Sequence, residues 1–201
     1  MVTFVLLLLL LLAATMLFVI VSEFVAFVRT RVPFVPTRAG DIKFIVEKLG
    51  ITSNDVFYDL GSGNGKVVFM VNKLSGATCV GFELSWWTVL FAKVKSKFWN
   101  SPLPSLMQRE GVAAVTSSFQ KRGTGGVKFH CKNFFKQDWS GANYIYAYLY
   151  PPLMGRVRDK FLAECKPGAV AIIRDFFLPG LKPEATYSLP KKHEIFIYKK
   201  V

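Results

Sequence analysis

Acidic side chains, cysteine and histidine are scarce in this 201-residue chain: 13 Asp and Glu face 26 Lys and Arg, with three cysteines and two histidines. Three widely spaced cysteines (Cys79, Cys131, Cys165) and no C-x-x-C pair exclude a disulfide-stapled scaffold and a cysteine zinc site, and leave reduced thiols. Of the histidines, His130 alternates with Phe129 and Cys131 in a strand-like run, and His193 opens the last such run. Both read as structural, and no metal site is expected. Charge is absent altogether from residues 1–22, so the net +13 belongs to the rest of the chain. What the chain has in quantity is apolar residues, 52% with 19 Phe, which excludes a disordered chain. The length suits one domain of ordinary size and not two.

The uncharged stretch 2–22 includes an unbroken leucine run from Leu6 to Leu12. As a helix it spans about 31 Å, matching a hydrocarbon core of ~30 Å. A cleaved signal peptide would need a basic start, a shorter apolar run and a small-residue cleavage site. Here nothing basic precedes Arg29, and apolar character continues through Val28. Residues 1–28 are therefore predicted to be a retained, single-pass transmembrane anchor, and 29–37 a proline-bounded linker. The first cations, Arg29, Arg31 and Arg38, come after the anchor and place the rest of the chain on the cytoplasmic (or matrix-like) side. The bilayer is then a partner in its own right, since each Lys or Arg near anionic headgroups contributes on the order of 1 kcal/mol.

Residues 38–201 alternate in pattern. Thr37 or a neighbour is placed to cap a helix over 38–49, which Gly50 stops. Strands are predicted at 56–60, 78–82, 127–131, 143–150 and 169–174, and helices at 66–74, 85–98 and 153–165. A terminal strand pair is predicted at 186–189 and 193–199. This order predicts an α/β fold: a Rossmann-like, mainly parallel sheet with an antiparallel edge strand. Residues 100–126, with two prolines and the run Thr124-Gly-Gly, are long for a connection. They read as an insertion containing a helix near 107–119, and serve either as a substrate-side flap or as a surface loop.

The run Asp59-Leu-Gly61-Ser-Gly63-Asn-Gly65 falls between the first strand and the helix after it. Alternate glycines let the backbone turn sharply and approach a ligand without Cβ collision. The spacing is G-x-G-x-G, not the dinucleotide G-x-G-x-x-G, whose last glycine would fall at Lys66. Asp59 ends the first strand and Glu83 the second, where a carboxylate can take both hydroxyls of a ribose. Asp59 would repel a pyrophosphate but suits an ammonium group. S-adenosyl-L-methionine has a ribose, an ammonium and no phosphate, and is the expected cofactor. A dinucleotide site, or a turn with two incidental carboxylates, stands as the alternative.

The string from Val56 to Val68, together with Gly81-Phe-Glu83-Leu-Ser-Trp-Trp87, resembles motif I and the next motif of seven-β-strand (class I) methyltransferases. Further runs extend the likeness: Val32-Pro-Phe-Val-Pro-Thr37, Asn133-Phe-Phe-Lys-Gln-Asp138, Tyr148-Leu-Tyr-Pro-Pro-Leu-Met154, Lys166-Pro-Gly168 and Phe176-Phe-Leu-Pro-Gly180. With the apolar N-terminal segment, and with residues 100–126 outside it, the chain is similar to membrane-anchored protein-lysine methyltransferases. These act on ATP synthase subunit c and the adenine nucleotide translocase, and have prokaryotic relatives. The resemblance implies a seven-stranded sheet, S-adenosylmethionine-dependent N-methylation and a lysine-containing membrane protein as substrate. It also implies that Asp59, Gly61, Gly63 and Gly65 line the methionine part of the cofactor. Glu83 would hold the ribose, Asn133 and Phe134 would lie beside the adenine, and Thr37 would belong to the same cofactor side. Asn133 stands where relatives often carry aspartate, and Ser85-Trp86 where many carry Asn-Pro.

Methyl transfer brings a neutral nucleophile to ~3 Å from the sulfonium methyl, aligned and dehydrated. A lysine acceptor, with an ordinary pKa near ~10.4, has to lose its proton first. The tip of the fourth strand, Tyr148-Leu-Tyr150-Pro151-Pro152, is the expected acceptor site, with Tyr150 and Pro151 as its candidate catalytic residues. It echoes the Asp/Asn-Pro-Pro-aromatic loop that handles planar amino groups, but Tyr150 replaces the acid or amide and Leu153 the aromatic. Aromatic walls suit an alkylammonium stem. Alternatively, Pro-Pro only ends a strand. Asp175 is a candidate acceptor-side carboxylate or else one half of a salt bridge. Competing acceptors are a lipid or quinone, and RNA, for which the basic charge is a natural footprint; nucleic acid is disfavoured because no separate binding module is visible. A monomer is expected.

Overall fold

The computed structural model describes residues 2–30, 37–100 and 125–201. Residues 31–36 of the expected linker and 101–124 of the expected insertion, including its helix near 107–119, lie outside the described residues. The chain divides into two compact units, Met1–Phe34 and Val35–Val201. The first is a single helix, α1 (Val2–Thr30), within which Thr3–Val21 is long and apolar enough to cross a membrane, with a mean hydropathy of 3.2. Among the described residues, none of that window is buried.

The second unit is a seven-stranded sheet in the order β3-β2-β1-β4-β5-β7-β6. Its elements are α2 (Ala39–Leu49), β1 (Val56–Leu60), α3 (Lys66–Ser75), β2 (Thr78–Glu83), α4 (Trp86–Asn100) and β3 (Val127–Cys131). They continue as β4 (Tyr144–Ala147), α5 (Met154–Glu164), β5 (Val170–Arg174), β6 (Ala185–Leu189) and β7 (His193–Lys199). β1 through β5 run parallel, and β7 pairs antiparallel with both β5 and β6. The expected antiparallel edge is the β7–β6 pair, in which β7 is the reversed strand and β6 lies outermost. A short turn at Lys191 and Lys192, both with positive φ, joins the two and permits only a hairpin.

Alternation along the strands sends side chains to two cores. Phe57, Tyr146, Ile172, Ile195 and Ile197 face α2, α3 and α4, meeting Ile42, Ile45, Val68 and Val89. Leu60, Ile145, Ala147, Ala171 and Ile173 face α5, meeting Trp139, Val157 and Phe161. Gly50 ends α2 in the left-handed region, its N–H bonded to the Val46 carbonyl, as the sequence predicts. The start of α2 differs from expectation. Arg38 occupies the cap position without a side-chain bond to the helix end, and the Thr37 hydroxyl lies 2.9 Å from the buried Tyr146 hydroxyl. A buried phenol needs a partner, and it draws the threonine away from its own helix.

Candidate active site

Strand order reverses between β1 and β4, which opens a crevice at the carboxyl ends of the strands. The sequence-predicted residues line up along this edge: Asp59 on β1, Glu83 on β2, Asn133 after β3, Tyr150 and Pro151 after β4, and Asp175 after β5.

The glycine loop is stapled to the end of β2. Gly61 and Ser62 both donate their N–H to the Phe82 carbonyl, at 2.9 and 3.0 Å, and Gly63 donates to Glu83 Oε2 at 3.0 Å. Gly61 and Gly65 have φ of +80° and +78°. A Cβ on Gly61 would sit 2.8 Å from Leu149 Cδ2, and one on Gly65 would sit 2.4 Å from the Phe129 ring. At Gly61 the loop therefore lies directly against the β4 tip, and at Gly65 against β3, with no room for a Cβ at either position. Glu83 Oε1 accepts from the backbone N–H groups of Leu84 and Ser85 at 2.7 and 2.9 Å. These bonds fix the carboxylate while leaving it further acceptor capacity for hydroxyl donors.

Asp59 is 2% exposed, and its Oδ2 has no hydrogen-bond partner. Burial, and then the nearby Glu83 charge, push its pKa from the ordinary 3.8 up to about 8. A buried carboxylate left short of a donor beside a glycine-rich turn fits the ammonium of S-adenosylmethionine.

Asn133 caps a 3-10 turn at Phe134–Lys136, its Oδ1 accepting from the Phe135 N–H at 2.9 Å. That oxygen, the expected adenine contact, is thus already engaged, and its second lone pair and the NH₂ group are what it can offer a base. The Phe134 side chain is buried against Phe135 and Trp139, and its carbonyl accepts from Trp139 Nε1 at 3.0 Å.

On the β4 side the strand ends at Ala147, sooner than predicted. Leu149 tucks against Gly61, and Pro151–Leu153 form a 3-10 turn for which the exposed Tyr150 is the cap residue. Asp175 has φ +59°, a strained value for a non-glycine residue. Its Oδ2 lies 2.7 Å from His193 Nδ1 and 3.7 Å from Arg174 Nε, and its Oδ1 accepts from the Glu194 N–H at 2.9 Å. Burial alone would raise its pKa, but the bonds from Glu194, Tyr148 and His193 outweigh that and hold it below the usual carboxylate range.

Beneath this edge lies a cluster the sequence does not announce. Arg174, fully buried, meets Asp41 of α2 at 2.7 Å, off the N–H direction, and its guanidinium carbon lies 5.0 Å from the Tyr148 ring centroid. Tyr146 completes the group through its bond to Thr37. Thr37 thus reaches the site's underside through Tyr146.

A parallel sheet reversed at β1 and β4, with a glycine cradle and acidic strand ends, defines a class I methyltransferase. The comparisons agree. The family described as the ANTKMT methyltransferase domain matches residues 59–185, and the chain belongs to that family. It is 23% identical over 172 residues to a protein-lysine N-methyltransferase of Saccharolobus islandicus, covering 83% of this chain and 92% of the relative. It is 26% identical over 157 residues to the adenine nucleotide translocase lysine N-methyltransferase of Mus musculus, covering 78% of this chain and 58% of that protein. Among solved structures it superposes on an RNA methyltransferase from Salinibacter ruber bound to S-adenosyl-L-homocysteine, with a TM-score of 0.66 and 25% identity. That match covers 82% of this chain and 93% of the other. The protein is an S-adenosylmethionine-dependent methyltransferase.

Proposed function

We propose that the chain N-methylates a lysine side chain of a membrane protein, with α1 as a single-pass anchor and the sheet unit on the cytoplasmic or matrix-like face. The observation that carries this is the β4 tip. It carries Tyr148 and Tyr150 on either side of Leu149, which lies against Gly61, and it lacks the acid or amide that would grip a planar nucleobase nitrogen. Two relatives named as lysine methyltransferases support the same reading.

Bound S-adenosylmethionine supplies a methyl group activated on a sulfonium. In our reading Asp59 neutralises its ammonium, and Gly61, Gly63 and Gly65 let the backbone approach. Glu83 takes the ribose hydroxyls, while Asn133 and Phe134 border the adenine. Thr37 acts indirectly, by fixing Tyr146. At the acceptor, Tyr150 and Pro151 wall the lysine stem and exclude water, which favours the neutral amine. Asp175 is a poor proton acceptor because its partners hold its charge. We assign it to orienting Tyr148, whose own pKa is raised by burial and by Asp175.

The Salinibacter neighbour and the +13 charge favour a second reading, RNA as acceptor. One experiment separates them: matched membrane-protein, RNA and lipid fractions are incubated with methyl-labelled cofactor and either the wild type or Glu83→Ala. Label in lysine of the membrane proteins, lost in the variant, is expected. Label in RNA or lipid with none in protein refutes the proposal.

A further inference from the structure

A helix that covers a sheet normally turns its polar side to water. α4 turns an apolar stripe to water as well. Its buried side is fixed by Val89 and Ala92 in the core and by Trp99 Nε1, which donates to Asn72 Oδ1 at 2.8 Å. Asn72 is itself held, its Nδ2 donating to the Ala77 and Gly125 carbonyls. The helix therefore cannot rotate to hide its other face. At about 100° per residue, Leu90, Phe91, Val94 and Phe98 share one sector of about 100° opposite that anchor. All four are exposed, Phe91 by 70% and Phe98 by 77%. The stacked rings of Trp86 and Trp87 stand at the head of the same helix.

The borders of this stripe are lysines. Lys93 and Lys97 flank one side and Lys95 the other, the Lys95 ammonium resting 4.4 Å from the Phe69 ring centroid. Lys128 on the adjoining strand β3 and Lys132 just after it extend the positive field. Its reach is visible at His130, whose pKa is lowered by burial and then by Lys132, Lys93 and Lys128. An apolar aromatic centre with lysines on both sides is the composition of a helix lying in the headgroup region. There the rings enter the acyl boundary and the ammonium groups meet anionic phosphates.

We infer that the solvent-facing side of α4, centred on Phe91, Val94 and Phe98, is a docking surface for an anionic bilayer, separate from α1. α4 begins three residues after Glu83, so docking along this face also fixes the orientation of the cofactor edge against the membrane. This goes beyond the identity of the acceptor and holds whatever the acceptor is. A second copy of the chain, itself at +13, would cover the apolar centre but gains nothing from the lysine borders.

All four tryptophans lie at or beyond residue 86, so intrinsic fluorescence reports only the second unit. The full chain is reconstituted into vesicles whose acyl chains carry bromine, either phosphatidylcholine alone or with about 30% phosphatidylserine. Tryptophan quenching is expected in the anionic vesicles, and high salt is expected to remove most of it. Phe91→Ser/Phe98→Ser and, separately, Lys93→Glu/Lys97→Glu are each expected to lose most of the quenching. Both sets of side chains face solvent, and unchanged near-ultraviolet dichroism verifies the fold. Quenching equal in neutral and anionic vesicles, or unaffected by either pair, overturns the inference. So does a fall in particle mass in the phenylalanine pair with quenching intact, which would assign the stripe to self-association.

Discussion

The protonation of Asp59 offers the sharpest test of the cofactor assignment. In the free protein its pKa of about 8 means that the carboxyl carries about 0.9 of a proton at pH 7. The ligand's α-ammonium, with an ordinary value of ~7.7–8.0, carries a similar fraction. If the complex holds a carboxylate against an ammonium, the pair retains one proton where the separated partners held nearly two. About 0.8 of a proton is therefore released per cofactor bound at pH 7, roughly none near pH 8, and a proton is taken up above that. Affinity has the same sign, rising towards pH 8 and falling beyond it. Calorimetry in buffers of different ionisation enthalpy measures the proton count directly. Asp59→Asn should abolish release below pH 8 and leave only the uptake above it, which belongs to the ligand. Release of less than about 0.2 proton at pH 7 in the wild type, or the same count in the variant, would refute the pairing.

Three other predictions come from the same geometry. Without cofactor, the raised Asp59 pKa favours the folded state only while the group is protonated, so wild-type stability should fall as pH rises from about 4 to about 8. Asp59→Asn should remove that slope and gain about 2 to 4 kcal/mol at pH 7 in denaturant titrations. A flat wild-type profile contradicts the burial argument. Removing one partner of the Asp41–Arg174 pair, as in Arg174→Met, should cost about 3–5 kcal/mol. The double variant Asp41→Leu/Arg174→Met should recover much of that loss, whereas additive losses would mean that the two charges are not coupled. Gly65→Ala meets both a positive φ and the Phe129 ring at 2.4 Å, and should cost more than about 2 kcal/mol along with cofactor affinity. Gly40→Ala, with nothing within 4 Å of its Cβ, should be neutral or mildly stabilising by comparison.

The acidic ends of β1 and β2 and the glycine turn between them were legible because their signals are local. A carboxylate, a backbone conformation and a strand end fall within a few residues of one another. The cluster of Asp41, Arg174, Tyr146 and Thr37 was not, because each member is unremarkable where it stands. Asp41 stands in the first turn of a helix and Arg174 at a strand end, 133 positions apart in the sequence. Their meeting depends on α2 lying across β4 and β5, a contact no short motif encodes. Thr37 shows the competition directly: helix-start logic gives it a cap, and a phenol 109 positions away takes it instead. Asp175 was legible as a choice between a free acceptor-side carboxylate and an ion pair. The geometry favours the pair, with His193 nearer than Arg174. His193 itself gave no sign, since an isolated histidine opening an edge hairpin has no sequence partner.

The charge distribution of the chain bears on how it meets its acceptor. Asp59 and Glu83 are local exceptions inside a protein with a net charge of +13. A cationic cofactor can overcome that field because the pocket carboxylates act at contact distance, where burial strengthens them. A lysine on a separate protein has no such advantage on approach. Beyond a Debye length of ~8 Å the field is screened, and within it the basic surface repels a second cation. Long-range steering therefore cannot supply the encounter for a lysine acceptor, whereas confinement to one surface can, since a shared bilayer raises effective concentration without any attractive contact. The same positive charge that disfavours a soluble lysine-rich partner favours anionic headgroups, at on the order of 1 kcal/mol per nearby cation. An apolar helix, a lysine-bordered aromatic stripe and a buried acidic pocket are then compatible parts of one design. On the proposed reading the basic exterior favours an anionic bilayer, while the acidic interior of the crevice accepts positive charge.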